Sequence, residues 1–502
     1  MGTAEIFSNL ALGLSVAATL TNLLWCLAGA VIGTAIGVLP GVGPVATMAL
    51  LLPATYALPP EGALIMLAGI YYGAQYGGST TAILVNLPGE ASSVVTALDG
   101  HQMALQGRAG PALAIAALGS FFAGSVATLL IAFASPPLTK LAQQFGPADY
   151  FSLMILGLVL AIVLASGSLL KALGMVFTGM LLGLIGTDVS TGNERFTFGI
   201  GDLFDGVGFV PIAMGVFGIA EIIANLTSTE RRQLVSSKVE GLMPTMADLR
   251  QAAAPILRGT MLGSLLGVLP GGGAVLASFS SYTLEKKLSA TPEKFGTGMI
   301  AGVAGPESAN NAAAQTSFIP MLSLGIPSNA VMAMMIGGMM IHGIVPGPQV
   351  MEQKPGLYWG MIVSMWIGNL MLVILNLPLI GIWVTMLRVP YRLLSIAILF
   401  FCCIGVYSLN NSANEVLFIA VFGVVGYVMI KLGCEPAPLL MGFLLGPLME
   451  VYMRRAMLLS RGDPMTFLNR PLSQAFLLLA LLALVAVLLP NIRRARQVAF
   501  KE

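Results

Sequence analysis

Charged side chains are scarce in this sequence: 9% of its 502 residues are Asp, Glu, Lys or Arg, while 57% are hydrophobic. A soluble globule of this length needs far more polar surface, so a soluble fold is excluded. Apolar stretches of about 20 residues, long enough to cross a bilayer, recur along the chain and lack the alternating polarity of membrane strands. The sequence therefore predicts an all-α polytopic membrane protein with about 12 transmembrane helices.

Residues that ligate metals are also rare, since the chain has 2 histidines and 4 cysteines. The cysteines lack metal-ligand spacing, and two histidines are too few for a three-ligand catalytic metal site. No cofactor and no structural metal are expected. The net charge of +2 gives no indication of a nucleic-acid partner.

Motifs of energy-coupling and hydrolytic enzymes are absent as well. The sequence contains no GxxxxGK[ST], no HExxH and no GxSxG. These absences argue against ATP-driven transport and against catalysis. An intramembrane enzyme and a passive anion channel remain as alternatives, although a channel is expected to place a ring of like groups in several subunits.

What the sequence does contain is an internal repeat. GVLPGVGP at 37–44 reappears as GVLPGGGA at 267–274, and each octapeptide is followed by a Gly/Pro-rich polar break, at 79–90 and at 306–329. We predict a first membrane repeat over 1–226, a cytoplasmic linker at 227–254, and a second membrane repeat with C-terminal helices over 255–502. Such paired breaks are typical of discontinuous or re-entrant helices in inverted-repeat transporters.

Each break is a candidate binding site, because a broken helix presents free N–H groups and the positive end of its dipole to an anion. Neither break contains Lys or Arg. The predicted substrate-binding residues are Ser79, Thr80, Thr81, Asn86, Pro88, Gly89, Asn310, Asn311, Ser317, Gly325, Pro327, Ser328 and Asn329. Candidates for coupling-ion binding are the carboxylates Glu90, Asp99 and Glu307, which also suit helix capping. Hinge or packing roles are predicted for Gly37, Pro40, Gly41, Gly43, Gly267, Pro270, Gly271 and Gly273.

Two longer stretches carry a family resemblance. YYGAQYGGSTTAILVNLPGEASSVVTALDGHQMALQGRAGPAL at 71–113 and KFGTGMIAGVAGPESANNAAAQTSFIPMLSLGIPSNA at 294–330 resemble the signature regions of the tripartite tricarboxylate transporter large subunit. The resemblance implies an elevator-like secondary transporter of the bacterial inner membrane that imports organic carboxylates, citrate among them, driven by Na⁺ or H⁺. It also implies two partners, a small membrane subunit and a periplasmic solute-binding protein.

Overall fold

The computed structural model describes residues 3–39, 43–165, 168–188, 191–227, 241–269, 273–386 and 391–488. Within these residues seven helices are long and apolar enough to cross a membrane: Leu20–Val38, Ala109–Ala142, Pro147–Leu164, Phe209–Thr227, Pro355–Asn376, Ala413–Lys431 and Pro436–Leu459. Shorter apolar helices accompany them. The protein is thus an all-helical, multi-pass membrane protein, as predicted, and the total of about 12 spans stays a prediction.

The first part of the chain is a succession of helices with one small hairpin. Its helices are α1 (Thr3–Ala17), α2 (Leu20–Val38), α3 (Pro44–Thr55), α4 (Pro60–Val85), α5 (Val94–Leu105), α6 (Ala109–Ala142), α7 (Pro147–Leu164) and α8 (Leu169–Gly183). Strands β1 (Gly186–Thr187) and β2 (Glu194–Arg195) pair antiparallel. A continuous helix follows, formed by α9 (Phe209–Ala213), a π-helical segment (Met214–Ile219) and α10 (Ala220–Thr227).

The second part begins after the linker. Its helices are α11 (Met246–Gly267), α12 (Gly273–Leu288), α13 (Ala301–Thr316), α14 (Phe318–Leu324), α15 (Ala330–Ile341), α16 (Gln349–Gln353), α17 (Pro355–Asn376), α18 (Ile380–Met386), α19 (Tyr391–Asn410), α20 (Ala413–Lys431), α21 (Pro436–Leu459), α22 (Thr466–Asn469) and α23 (Pro471–Leu488). Single 3₁₀ turns lie at Ala91–Ser93, Gly201–Leu203 and Pro292–Lys294.

Proline sets where many of these helices begin. Pro44, Pro60, Pro147, Pro355 and Pro436 each occupy the first turn of a helix. Proline lacks an N–H that this turn leaves unbonded, and its fixed φ is already helical. The apolar runs therefore fold as separate helices with defined starts.

Two helices lie at the centre of the protein. Every residue of α4 from Gly62 to Val85 is buried, as is every residue of α13 from Gly302 to Thr316. Because these helices face other helices rather than lipid, polar side chains such as Ser79 and Asn310 hydrogen-bond within the protein. This placement explains why the most polar membrane segments of the sequence are also its most buried.

Glycine stripes bring α2 against α4 and α11 against α13. The stripes are Gly29, Gly33 and Gly37 in α2, and Gly259, Gly263 and Gly267 in α11; the glycines are four positions apart, about one helical turn, and each lies 230 positions from its counterpart. A Cβ on any of them would collide with a backbone carbonyl of the facing helix, namely those of Met66, Ile70 and Ala74 on α4, and of Gly305, Ala309 and Ala313 on α13. Only glycine permits this backbone-to-backbone approach. Gly37 and Gly267, for which a hinge or packing role is predicted, belong to these stripes.

The helix interruptions are narrower than the polar segments that predict them. α4 continues through Ser79–Thr81 to Val85, so the first interruption is 86–90. Ser79 Oγ lies 3.0 Å from the Gln75 carbonyl oxygen, and Thr81 Oγ1 lies 3.2 Å from the Gly77 carbonyl oxygen. Hydroxyls placed in this way are compatible with a continuous helix. In the second part α13 and α14 occupy 301–316 and 318–324, and the second interruption is 325–329.

The linker predicted at 227–254 is partly helical. Its residues 228–240 lie outside the described part of the chain, and α11 begins at Met246. Thr245 caps this helix, and Asp248 also accepts a hydrogen bond from Arg108. Burial disfavours the charge of Asp248, but the hydrogen bonds from Thr245 and Arg108 outweigh it, so the pKa of Asp248 lies below its ordinary value.

Candidate functional site

A cavity of about 460 Å³ lies where the two interruptions meet. Four short segments supply most of its wall: 88–92 and 328–331 from the interruptions, and 43–46 and 273–275 from the ends of the two octapeptides. This volume is in the range of small-molecule sites. Segments that the sequence repeats are therefore brought to one place by the fold.

Helices begin around this cavity. α3 starts at Pro44, α12 at Gly273, α15 at Ala330 and α21 at Pro436, and a residue from each of these first turns lines the wall. The first N–H groups of a helix have no partner within it, and its dipole places partial positive charge there. The cavity is consequently surrounded by backbone groups that favour an anion.

The side chains of the wall carry the opposite charge. Among the described residues that line the cavity, Glu90, Glu221 and Glu435 are acidic, and none is Lys, Arg or His. A bound carboxylate would thus meet positive backbone and negative side chains together. Such a site accepts an anion readily only when cations or protons enter with it.

The first interruption has a fixed geometry. Asn86 ends α4 in the left-handed conformation with φ 58°, and Gly89 then lies against Gly37 and Gly78. A Cβ at Gly89 would collide with the Gly37 carbonyl oxygen. Glu90 follows with extended backbone and contacts the hydroxyl of Ser92. Only glycine allows the turn to approach α2 this closely.

The second interruption repeats this order with different side chains. Gly325 ends α14 in the left-handed conformation with φ 74°, and Ser328 Oγ donates to the Ser317 carbonyl at 3.1 Å. Asn329 has extended backbone and caps α15, accepting from the Met332 N–H at 2.9 Å. Asn86 and Gly325 are 239 positions apart, as are Glu90 and Asn329. Both Glu90 and Asn329 line the cavity wall.

Glu307 lies outside the cavity wall, at the centre of a separate polar cluster. This carboxylate is fully buried and accepts from Ser79 Oγ at 2.6 Å, from the Thr96 hydroxyl, and from Asn310 Nδ2 at 3.4 Å. All of these donors are neutral. A buried carboxylate whose hydrogen-bond donors are all neutral is costly unless a proton or a cation accompanies it.

Asn311 extends the cluster. Its Nδ2 lies 2.7 Å from Ser120 Oγ and 2.6 Å from Asn310 Oδ1. Glu307, Asn310 and Asn311 are spaced i, i+3 and i+4 on α13, which places them on one helix face. Asn310 thus positions the Glu307 carboxylate, and Asn311 joins α13 to α6.

Asp99 has different surroundings. Its Oδ1 accepts from the N–H groups of Gly296 and Gly298 at 2.9 Å and of Met299 at 2.7 Å, while Tyr282 donates to Oδ2 at 2.9 Å. Four hydrogen-bond donors therefore hold this side chain in place. These contacts indicate that Asp99 anchors the loop before α13.

The predicted site residues consequently fall into three groups. Those that line the cavity are Pro88, Gly89, Glu90, Ser328 and Asn329, together with Gly43 and Gly273. Those outside its wall are Ser79, Thr80, Thr81, Asn86, Asn310, Asn311, Ser317, Gly325 and Pro327, of which Ser79 and Asn310 contact Glu307. The predictions for Pro40, Gly41, Pro270 and Gly271 lie outside the described residues.

The cavity also contains residues that sequence reasoning missed. Tyr71 and Gln75 of α4 reach it, and Tyr71 lies beside Ser317 and Asn329. Glu221 and Glu435 come from parts of the chain far from either break. An ionisable residue inside an apolar helix is a signal for function, and Glu221 carries that signal.

Comparisons with known proteins agree with this architecture. The family model of the tripartite tricarboxylate transporter TctA family matches residues 23–441. An uncharacterized 52.8 kDa protein in the TAR-I ttuC' 3'region of Agrobacterium vitis is 58% identical over 498 residues, covering 99% of both chains. An uncharacterized protein in the TAR-II ttuC' 3'region of the same organism is 60% identical over 240 residues, which are 48% of this chain and 99% of that protein. No solved structure matches the chain. The chain belongs to the tripartite tricarboxylate transporter TctA family, a family of transporters and not of enzymes.

Proposed function

We propose that this chain is the ion-driven membrane subunit that imports tricarboxylates or related organic carboxylates, and that the substrate binds in the cavity between the two interruptions. The observation that carries the proposal is the composition of the cavity wall, in which helix starts converge without a Lys, Arg or His among the described lining residues. Helix starts bind carboxylates. Pro88, Gly89, Ser328 and Asn329 are the proposed substrate contacts.

The residues outside the wall receive a supporting role. Ser317 and Gly325 shape the second interruption. Thr81 Oγ1 lies 2.9 Å from the Val38 carbonyl and so fixes α4 against α2. We assign to these residues the positioning of the two turns rather than contact with the substrate.

Ion coupling follows from charge. The substrate is anionic and the wall contains Glu90, Glu221 and Glu435, so import against a gradient requires Na⁺ or H⁺ to enter with it. Glu307 is the proposed site for this ion, because it is fully buried and accepts hydrogen bonds from two neutral hydroxyls and an amide. Glu90 lies near enough to interact electrostatically with Glu307 and links the ion site to the cavity.

The chain is further proposed to consist of two inverted repeats that move in an elevator-like manner. The 230-position spacing of the glycine stripes and the 239-position spacing of the interruptions support two equivalent units. The proposed setting is the bacterial inner membrane, with a small membrane subunit and a periplasmic solute-binding protein that delivers substrate.

The test is uptake of radiolabelled citrate by proteoliposomes that contain the chain and both partner subunits. An imposed Na⁺ or pH gradient should cause accumulation, and the matching ionophore should abolish it. Glu307→Gln should abolish accumulation. Glu352→Gln is the control and should not, because Glu352 lies outside the cavity wall, where its side chain accepts a hydrogen bond of 2.7 Å from Gln143. Three results would each contradict the proposal. Accumulation that requires ATP would indicate an ATP-driven transporter, ohmic citrate flux would indicate a channel, and chemical turnover of citrate would indicate an enzyme.

A further inference from the structure

A second, much smaller cavity lies among the packed helices α4, α6 and α17. Its volume is about 10 Å³, which is enough for one occupant the size of a water molecule. Five of the residues that line it carry a side-chain oxygen, and each is at most 4% exposed: Tyr76, Ser79, Thr80, Ser120 and Asn376. The small cavity is therefore a buried space with a wall rich in oxygen atoms.

Asn376 contributes an oxygen that has no protein partner. Its Nδ2 donates to the Leu372 carbonyl at 2.9 Å. Because a carbonyl oxygen accepts only from the nitrogen of the amide, this bond fixes which way the amide is turned. The other amide atom, Oδ1, has no hydrogen-bond partner among the described residues. A buried acceptor without a partner in a cavity wall indicates an occupant, either a water molecule or an ion.

The hydroxyl groups of the wall have acceptors within the protein for their protons. Tyr76 Oη lies 3.4 Å from Asn369 Oδ1, and Thr80 Oγ1 lies 3.4 Å from the Tyr76 carbonyl oxygen. Ser79 Oγ lies 2.6 Å from Glu307 Oε2. Each hydroxyl oxygen keeps lone pairs for an occupant after its proton is used. A water molecule in such a wall lacks donors for its own oxygen, whereas a hard cation is bound by oxygen acceptors alone.

The charges around the small cavity also favour a cation. The Glu307 carboxylate is separated from it by the hydroxyl of Ser79 alone. Asn376 is the last residue of α17, so the negative end of that helix dipole lies at the wall. Helix ends of this polarity coordinate Na⁺ in transporters with discontinuous helices. None of the described residues that line the small cavity is Lys, Arg or His.

We propose that the small cavity binds one Na⁺ through oxygen atoms of Asn376, Ser79 and Thr80. Glu307 supplies the negative charge beside it. The inference rests on the proposed function and deepens it, because it selects Na⁺ over H⁺ as the coupling ion and places this ion between α4 and α17. The ion site assigned to Glu307 thereby gains a helix, α17, that contains neither of the two breaks.

The experiment measures the melting temperature of the full chain in lipid nanodiscs, without citrate, as NaCl replaces choline chloride at constant pH and ionic strength. Na⁺ should raise it, because a ligand of the folded state stabilises that state. Asn376→Ala and Thr80→Val each remove a ligand oxygen, so each should raise the Na⁺ concentration for half-maximal stabilisation by about tenfold or more. Thr80→Ser keeps the oxygen and should stay within about twofold of wild type. Ser364→Ala, the control on α17, should do the same, because its hydroxyl donates within its own helix.

Equal melting temperatures in Na⁺ and in choline overturn the inference, and so does a Na⁺ dependence that neither variant changes. Thr80→Val alters the side chain least, so it keeps the test decisive if Asn376→Ala does not fold. Citrate accumulation driven by a pH gradient, in a protein that Na⁺ does not stabilise, overturns the Na⁺ site and retains the proposed function. Na⁺ stabilisation that the variants weaken, in a protein that accumulates no citrate under either gradient, supports the site and refutes the proposed function.

Discussion

Ser79 offers the sharpest separation of the ion site from the substrate site. Its hydroxyl lies 2.6 Å from Glu307 and does not line the large cavity. Ser79→Ala therefore removes a hydrogen bond to a buried carboxylate, which is worth about 1.5–3 kcal/mol. This free energy corresponds to a roughly ten- to hundredfold change in the binding constant of the coupling ion.

The assay measures citrate uptake by proteoliposomes as a function of coupling-ion concentration and, separately, of citrate concentration. In Ser79→Ala the ion concentration for half-maximal uptake should change by about ten- to hundredfold. The KM for citrate at saturating ion should stay within about twofold, which is a free-energy change of about 0.4 kcal/mol.

A matched control is Ser364→Ala. Ser364 is also buried, but its hydroxyl donates to the Met361 carbonyl of its own helix at 2.7 Å. This variant should leave both concentration dependences unchanged. A Ser79→Ala protein with normal ion dependence and a raised citrate KM would refute the reasoning and restore Ser79 as a direct substrate contact.

Three further predictions test the packing and the other carboxylates. Gly89→Ala should destabilise the protein by about 1–3 kcal/mol and reduce uptake, because the new Cβ would collide with the Gly37 carbonyl. The control Gly174→Ala, whose Cβ would have no neighbour within 4 Å, should change neither stability nor uptake. Asp99→Asn should lower the melting temperature while leaving the ion dependence of uptake unchanged; a shifted ion dependence would make Asp99 part of the ion site. Asp248→Asn should lower the free energy of unfolding by about 1 kcal/mol at pH 7. Because the pKa of Asp248 is lowered from 3.8, wild type should lose this advantage as pH falls below that value, and the two melting temperatures should converge there.

Each predicted break contains an interruption but is wider than it, and local rules explain where the helices end. Left-handed residues at Asn86 and Gly325, each followed two positions later by proline, end a helix by backbone sterics alone. These features depend on neighbours in the chain, so the sequence contains them directly.

Other features depend on packing between distant segments and were not predictable in this way. Ser79 and Asn310 belong to polar segments that suggested substrate contact, but burial of α4 against α13 directs both toward Glu307. Glu221 reaches the cavity only because the helix with the π-helical segment packs beside α3. The composition of the cavity wall is accordingly a property of the fold.

The glycine stripes have a mechanical consequence. Side chains between helices usually form a layer that can change rotamers and let the helices slide, but α2 and α4 meet backbone to backbone, as do α11 and α13. The two helices of each pair are therefore expected to move together as one rigid unit. Any motion that exposes the cavity to one side of the membrane and then the other must keep each pair intact and occur where the two interruptions join these helices.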